Sequence, residues 1–246
     1  MPTIYLSPST QEFNPYNGGG NEEYYMNLIA DAMEPYLVAS GIQFVRNTPD
    51  MTAATSIAAS NRGNYDLHLA LHSNATAAGN GAVRGSEVYY YPSSVSGKRF
   101  ADILAKNLKL IYPLPDKVRT VPTTSIGEVS RTRAPGVLVE IAYHDNAEDA
   151  QWIRDNTELI AANIVLSLTE YFGIPFNTPV PVTVANVSTN GGNLNLRTRP
   201  SADAFVVGRI PNGAEVMIYA RLPDWALVGY NGMVGYARDS YINFQP

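Results

Sequence analysis

Apolar and polar positions divide the first 175 residues into segments of two kinds. Leu67, Leu69 and Leu71 alternate with His68, Ala70 and His72, a period of two that predicts a strand running into polar Ser73 and Asn74. Residues 3–6, 43–46, 86–91 and 136–141 read as further strands. Met26, Ile29, Met33 and Leu37 recur at helical spacing over residues 22–39, with Pro35 expected to kink or shorten that helix. Phe100, Ile103, Leu104, Leu108 and Ile111 mark a helix over 96–111. Trp152, Ile153, Ile160, Ile164 and Leu168 mark one long or two shorter helices over 147–172. Alternation of strand and helix predicts an α/β fold with a mostly parallel, helix-covered sheet.

The texture changes after residue 175. Pro175, Pro179 and Pro181 fall within seven positions, so residues 176–181 are expected to form an extended, proline-rich linker between a domain of residues 1–175 and one of residues 182–246. In the second, short alternating runs are punctuated by Asn190-Gly191-Gly192-Asn193, Pro211-Asn212-Gly213 and Asn231-Gly232. Strand, turn and strand at this spacing predict a small all-β barrel.

Composition narrows the chemistry. With 246 residues, 45% hydrophobic and 16% charged, the chain can bury a core. It has no cysteine, which excludes disulfides, thiolate ligands and a cysteine nucleophile. A net charge of −5 argues against nucleic acid as a partner. No apolar run approaches the roughly 20 residues of a membrane span. The first residues lack the basic n-region and longer apolar run of a signal peptide, so phage-type or lysis-dependent release is the expected route out of a cell.

Metal chemistry therefore falls to His, Asp, Glu or amide oxygens, and there are only three histidines: His68, His72 and His144. On a strand, His68 and His72 stand roughly 13 Å apart and cannot share one metal. His72, at the strand's C-terminal end where α/β sheets build their sites, is the candidate ligand. The competing reading is a hydrogen-bonded structural residue, and His68 is read that way. Glu140 sits within Gly-Val-Leu-Val-Glu-Ile, where a carboxylate is costly unless it is paired, metal-bound or catalytic. Glu23 opens the first helix behind Gly18-Gly19-Gly20-Asn21. Asn21 can cap that helix, and Glu22 or Glu23 can simply complement its dipole. An imidazole and a carboxylate, each at the C-terminal end of a short apolar strand, suggest a zinc hydrolase.

These segments resemble, over residues 3–175, the zinc-dependent N-acetylmuramoyl-L-alanine amidases of the amidase_3 type. The resemblance rests on Glu23 followed by Asn27-Leu28-Ile29-Ala30, on Leu71-His72-Ser73-Asn74-Ala75, and on Pro135-Gly-Val-Leu-Val-Glu140 followed by Asn146, in the family's order. It implies Zn2+ as cofactor, Glu23 and His72 as ligands, and Glu140 as the catalytic carboxylate. One element departs. Where the family has Asp-Pro-Gly-His, this chain reads Ser7-Pro8-Ser9-Thr10-Gln11. Thr10 stands at the missing histidine's position, and Gln11, with longer reach, is the substitute ligand expected here. His144 is a further neighbour of the site.

The C-terminal segment resembles a bacterial SH3 domain through Leu194-Asn195-Leu196-Arg197-Thr198-Arg199-Pro200-Ser201 and the stretch from Trp225 to Tyr236. Tyr219, Trp225, Tyr230, Tyr236 and Tyr241 are shared between a recognition groove and the barrel core. Together the resemblances imply hydrolysis of the amide between N-acetylmuramic acid and L-alanine, with peptidoglycan and its muropeptides as partner. The loops at 74–85 and 116–128 are expected to shape the cleft. Two alternatives stay open: a catalytically silent wall-binding protein, and a zinc peptidase acting on stem peptides.

Overall fold

The computed structural model describes residues 1–77 and 79–244, so Ala78 of the expected cleft loop and the last two positions of the barrel segment lie outside the described residues. The chain divides into two compact units, one of residues 2–34 and 44–173, the other of residues 1, 35–43 and 174–246. Residues 174–182 carry neither helix nor strand.

In the first region β1 (Thr3–Pro8), α1 (Glu22–Ala39), β2 (Gln43–Arg46), α2 (Ala53–Ser60), β3 (Leu67–Asn74), β4 (Ser86–Tyr90) and α3 (Val95–Leu108) follow in order. They lead to β5 (Val118–Pro122), α4 (Gly127–Ser130), β6 (Gly136–Tyr143), α5 (Ala147–Asp155) and α6 (Thr157–Phe172). The strands form one sheet in the order β2-β1-β3-β6-β4-β5. β3 runs parallel to both β1 and β6, β4 runs parallel to β5, and only the β4–β6 pairing among these is antiparallel. The mostly parallel, helix-covered sheet is as expected. β3 and β6 are its centre. Val137, Leu138, Val139 and Ile141 are buried beside Leu67, Leu69, Ala70 and Leu71, as a sheet covered on both faces requires.

Several elements depart from the periodicity reading. α1 continues through Pro35 instead of stopping there, because Met26, Ile29, Met33 and Leu37 are fully buried on both sides of the proline. Packing of that stripe outweighs one lost hydrogen bond. The 147–172 segment is two helices, broken at Asn156. α2 carries no expectation from its Ala-Ala-Thr-Ser run, and the expected loop at 116–128 contains β5 and the start of α4.

α4 is a single turn seated close against β6. A Cβ on Gly136 would stand 2.5 Å from the Glu128 carbonyl oxygen and 3.0 Å from Val129 Cα, so glycine is needed for the approach. Val129 joins Ala70 and Leu138 in a small apolar cluster with Ile126 and Tyr89 against it, which fixes the turn on the sheet.

The second region is all antiparallel: β7 (Thr183–Val187), β8 (Leu194–Arg197), β9 (Val206–Ile210), β10 (Glu215–Leu222), β11 (Trp225–Tyr230), β12 (Met233–Arg238) and β13 (Ile242–Phe244). Their order is β13-β7-β10-β11-β12-β8-β9. The core is apolar, with Leu196, Ile210, Val216, Val228 and Ile242 among its members. Trp225 and Tyr236 are buried, whereas Tyr241 is 45% exposed.

Candidate active site

The C-terminal ends of β3 and β6 bring the site together. His72 and Glu140 are direct partners in the register of the two strands, and Glu87 of β4 is Glu140's partner on the other side. Like charges opposite one another on neighbouring strands are unfavourable. Glu87 is compensated: it accepts from Arg119, from Tyr89 Oη and from Asn74 Nδ2. Glu140 is not. Its Oε2 is shut away from solvent and has no hydrogen-bond partner. Burial, opposed by His72 but reinforced by Glu22, Glu87 and Glu128, raises the Glu140 carboxyl to about 7.

The acidic residue delivered by α1 is Glu22, not Glu23. The loop before it turns through Gly18, Gly19 and Gly20 at positive φ, and Asn21 Oδ1 accepts from Tyr24 N to start the helix. Glu22 is 1% exposed, with Oε1 2.8 Å from His72 Nδ1 and 3.3 Å from Ser73 N. Successive helical residues diverge by about 100° around the axis, so Glu23 points elsewhere and is half-exposed. The signal that separates the two glutamates is in the sequence: Glu22 stands four residues before Met26, on the stripe of Met26, Ile29, Met33 and Leu37, and Glu23 stands off it.

Gln11 does reach His72, with Nε2 3.3 Å from Nδ1. Its orientation is set by Asn14, whose Nδ2 donates to Glu22 Oε2 at 2.6 Å and to Gln11 Oε1 at 3.1 Å. A carboxylate only accepts, so Asn14 must present nitrogen, and Gln11 must answer with oxygen. The Gln11 oxygen therefore faces Asn14 and its nitrogen faces the histidine.

Glu128 of α4, which the sequence placed only in a cleft loop, lies at the opposite edge of the His72 ring. Its Oε2 is 3.1 Å from His72 Nε2, and its Oε1 accepts from Ser7 Oγ at 2.5 Å and lies 3.3 Å from His68 Nε2. Burial would raise the Glu128 carboxyl, but hydrogen bonds from His68 and His72 hold it down at about 2. His72 is opposed by burial and is pushed well above the usual imidazole value by Glu128 and Glu22. Bonds from His72 and Asn14 outweigh burial to lower Glu22.

The remaining histidines have structural settings. His68 is fully buried, bonded to Ser60 Oγ and stacked on Tyr5. His144 Nδ1 donates to the Ser73 carbonyl at 2.7 Å, and its ring stacks on Tyr16, whose hydroxyl donates to Ser73 Oγ. A cavity of about 540 Å³ opens beside this cluster, with Ser9, Gln11, His72, Glu128, Asn47 and Phe13 in its wall.

Among the described residues no three His, Asp or Glu side chains are arranged to hold a metal ion. At the His72 Nδ1 edge there are two such groups, His72 and Glu22, with the Gln11 amide beside them. The chemistry of the set nevertheless fits a divalent cation. Glu22, Glu128 and Glu140 crowd one imidazole, and Glu140 carries an orphaned oxygen.

Two family descriptions match the chain: N-acetylmuramoyl-L-alanine amidase (Amidase_3) over residues 10–170, and bacterial SH3 domain (SH3_3) over residues 192–243. Among solved structures, the N-acetylmuramoyl-L-alanine amidase AmiC2 of Nostoc punctiforme is 20% identical over 70% of this chain and 97% of that one, with a TM-score of 0.60. The N-acetylmuramoyl-L-alanine amidase from Clostridium difficile 630 is 17% identical over 70% and 97%, with a TM-score of 0.62. The catalytic domain of the CD27L endolysin targeting Clostridia difficile is 21% identical over 69% and 98%, with a TM-score of 0.57. At these identities the likeness is one of fold. No curated protein sequence matches.

Proposed function

Because the chain belongs to the N-acetylmuramoyl-L-alanine amidase family through residues 10–170, we propose that it is a peptidoglycan hydrolase. The bond we assign is the amide between the lactyl carboxyl of N-acetylmuramic acid and the L-alanine nitrogen of the stem peptide. The observation that carries this reading is Glu140, a partly buried carboxylate with one oxygen shut away from solvent and unpartnered, held in register with His72 at the strand ends.

Zinc is the cofactor we assign, with His72 Nδ1 and Glu22 as its donors. Gln11 becomes a third donor only by turning its amide oxygen away from Asn14. Zinc held there would supply a Lewis acid able to polarise the scissile carbonyl and acidify a water. Glu140 takes the proton from the attacking water and hands it to the departing alanine nitrogen. The carbon–nitrogen bond breaks, a carbon–oxygen bond forms, and the products are a lactyl carboxylate and a free α-amino group. The cavity's size suits a muropeptide fragment.

For the barrel we propose peptidoglycan binding. What supports it is a second cavity of about 390 Å³ whose wall includes Asn193, Asn195, Arg197, Trp225, Arg238 and Tyr241, with Arg238 over the Trp225 ring at 4.8 Å. The two arginines and the amides suit the carboxylates and peptide groups of a stem. Action at the cell wall follows from both assignments, and no helix among the described residues is long and apolar enough to cross a membrane.

One observation favours a second reading, the silent wall-binding scaffold: Gln11 turns nitrogen rather than oxygen to His72. Muropeptide release from purified peptidoglycan, with zinc content measured on the same protein, separates the two. Release that Glu140→Gln removes supports the enzyme. Wall binding with no release supports the scaffold.

A further inference from the structure

The register of the sheet carries a row of side chains past the reacting carboxylate. His72, Glu140, Glu87 and Arg119 are successive partners across β3, β6, β4 and β5, so all four stand on one face. Arg119 closes the row with a guanidinium, and its side chain is 69% exposed. We propose that Arg119 is a specificity residue, which takes the free carboxylate of the stem peptide's second residue, a D-glutamate, when the L-alanine amide lies over Glu140. This rests on the proposed amidase reaction and names the part of its substrate that the sheet recognises.

Glu87 holds the arginine in place. Its buried carboxylate accepts from Tyr89 Oη and Asn74 Nδ2 at Oε2, and from Arg119 Nε and Nη2 at Oε1. Arg119 Nη1 bonds to nothing among the described residues, so one edge of the guanidinium is fixed and the other is open to a second carboxylate. An exposed arginine must usually be ordered when it binds, whereas this one is ordered beforehand. Distance fits as well. Neighbouring strands lie about 4.8 Å apart, which sets the Arg119 and Glu140 backbones roughly 10 Å apart, with the guanidinium leaning back over Glu87 inside that span. Two extended residues reach about 7 Å, so a stem whose first amide is at Glu140 brings its second residue to the arginine. Charge excludes the opposite direction. The cavity toward β1 and α2 is lined by Glu12, Asp50 and Glu128 and, among the described residues, by no lysine or arginine. That wall repels a carboxylate and suits the neutral hydroxyls and amides of the glycan.

The test uses the full chain and two soluble muropeptides that differ at one group, a free α-carboxyl or a carboxamide on the second residue of the stem. The readout is the ratio of the two kcat/KM values, because a purely structural role slows both substrates together and leaves the ratio alone. The parent should favour the carboxylate about 10- to 100-fold, chiefly through KM. Arg119→Gln, checked for folding by circular dichroism, should bring the ratio to within about threefold of unity. Arg119→Lys keeps a cation over Glu87 but loses the planar fork. It carries the test if Arg119→Gln does not fold, and should lower the ratio by about threefold or more. Equal cleavage of both substrates by the parent, or an unchanged ratio in the folded variants, overturns the assignment. If neither muropeptide is cleaved, the amidase reading fails and equilibrium binding of the same pair decides the subsite. A carboxylate preference that the Arg119 variant removes supports it, and a preference that persists or is absent overturns it.

Discussion

The strand ends of the α/β sheet and the core of the barrel are built on opposite terms. Among the described residues, every buried polar or charged side chain other than tyrosine lies at or before Thr169. The barrel's interior is aliphatic and aromatic throughout. At the strand ends, by contrast, Glu22, His72, Glu87 and Glu128 are all less than a tenth exposed, and Glu140 keeps a buried oxygen without a partner. Burial of carboxylates in such number opposes folding unless each is paired or serves a reaction. The comparison teaches that one region fills its interior with apolar groups alone, while the other accepts unfavourable burial to hold ionisable groups together.

The largest effect that sharpens this contrast is expected from Glu140→Gln. Turnover of muropeptides should fall about 100-fold or more, while the melting temperature holds or rises because a carboxylate oxygen buried without a partner has gone. Leu196→Ala in the barrel should do the reverse. It should lower the barrel's stability by about 2–5 kcal/mol and leave cleavage of small soluble muropeptides by the folded protein unchanged. Melting curves and initial rates measured on the same preparations check both.

Next in size is the distinction between neighbouring glutamates. Glu22→Ala should weaken zinc binding by more than the roughly 10- to 100-fold expected for a supporting group. Glu23→Ala should leave it within about threefold, since that side chain lies half-exposed outside the cluster. Equal losses in the two variants would break the assignment of α1's buried face.

What could be read from the sequence follows the same division. Alternating leucines in β3 and the unbroken apolar run around Glu140 announced central strands, and with them the carboxylate at the strand end. The barrel was legible from its turn residues. Glu128 was not, because a single helical turn has no period to detect, and its reach to His72 depends on the bare Cα of Gly136 and the docking of Val129. Gln11 was correctly placed near His72, but the direction of its amide is decided by Asn14 and Glu22, three and eleven positions away. Pro35 misled in the other direction, since the buried stripe of α1 outweighs the proline's local preference.

The smallest effect is a pH dependence in metal-free protein. The Glu140 carboxyl is raised from an ordinary 4.5 to about 7, so the fold favours its protonated form. That contribution is fully present below pH 4.5 and is lost as pH rises through about 7. The stability advantage of Glu140→Gln over the parent should therefore be smallest near pH 4 and grow up to about pH 7. The deficit of Leu196→Ala should stay flat across the same range, because nothing that titrates is touched. A flat profile for Glu140→Gln would remove the carboxylate's burial from the account.

The central claim is most directly tested by identifying the chain ends that the full-length protein creates in purified peptidoglycan, with and without zinc. New α-amino groups on L-alanine, with matching free lactyl carboxylates, are predicted; they should depend on zinc and disappear in Glu140→Gln. New ends at another bond, or L-alanine ends released equally by Glu140→Gln, would contradict it.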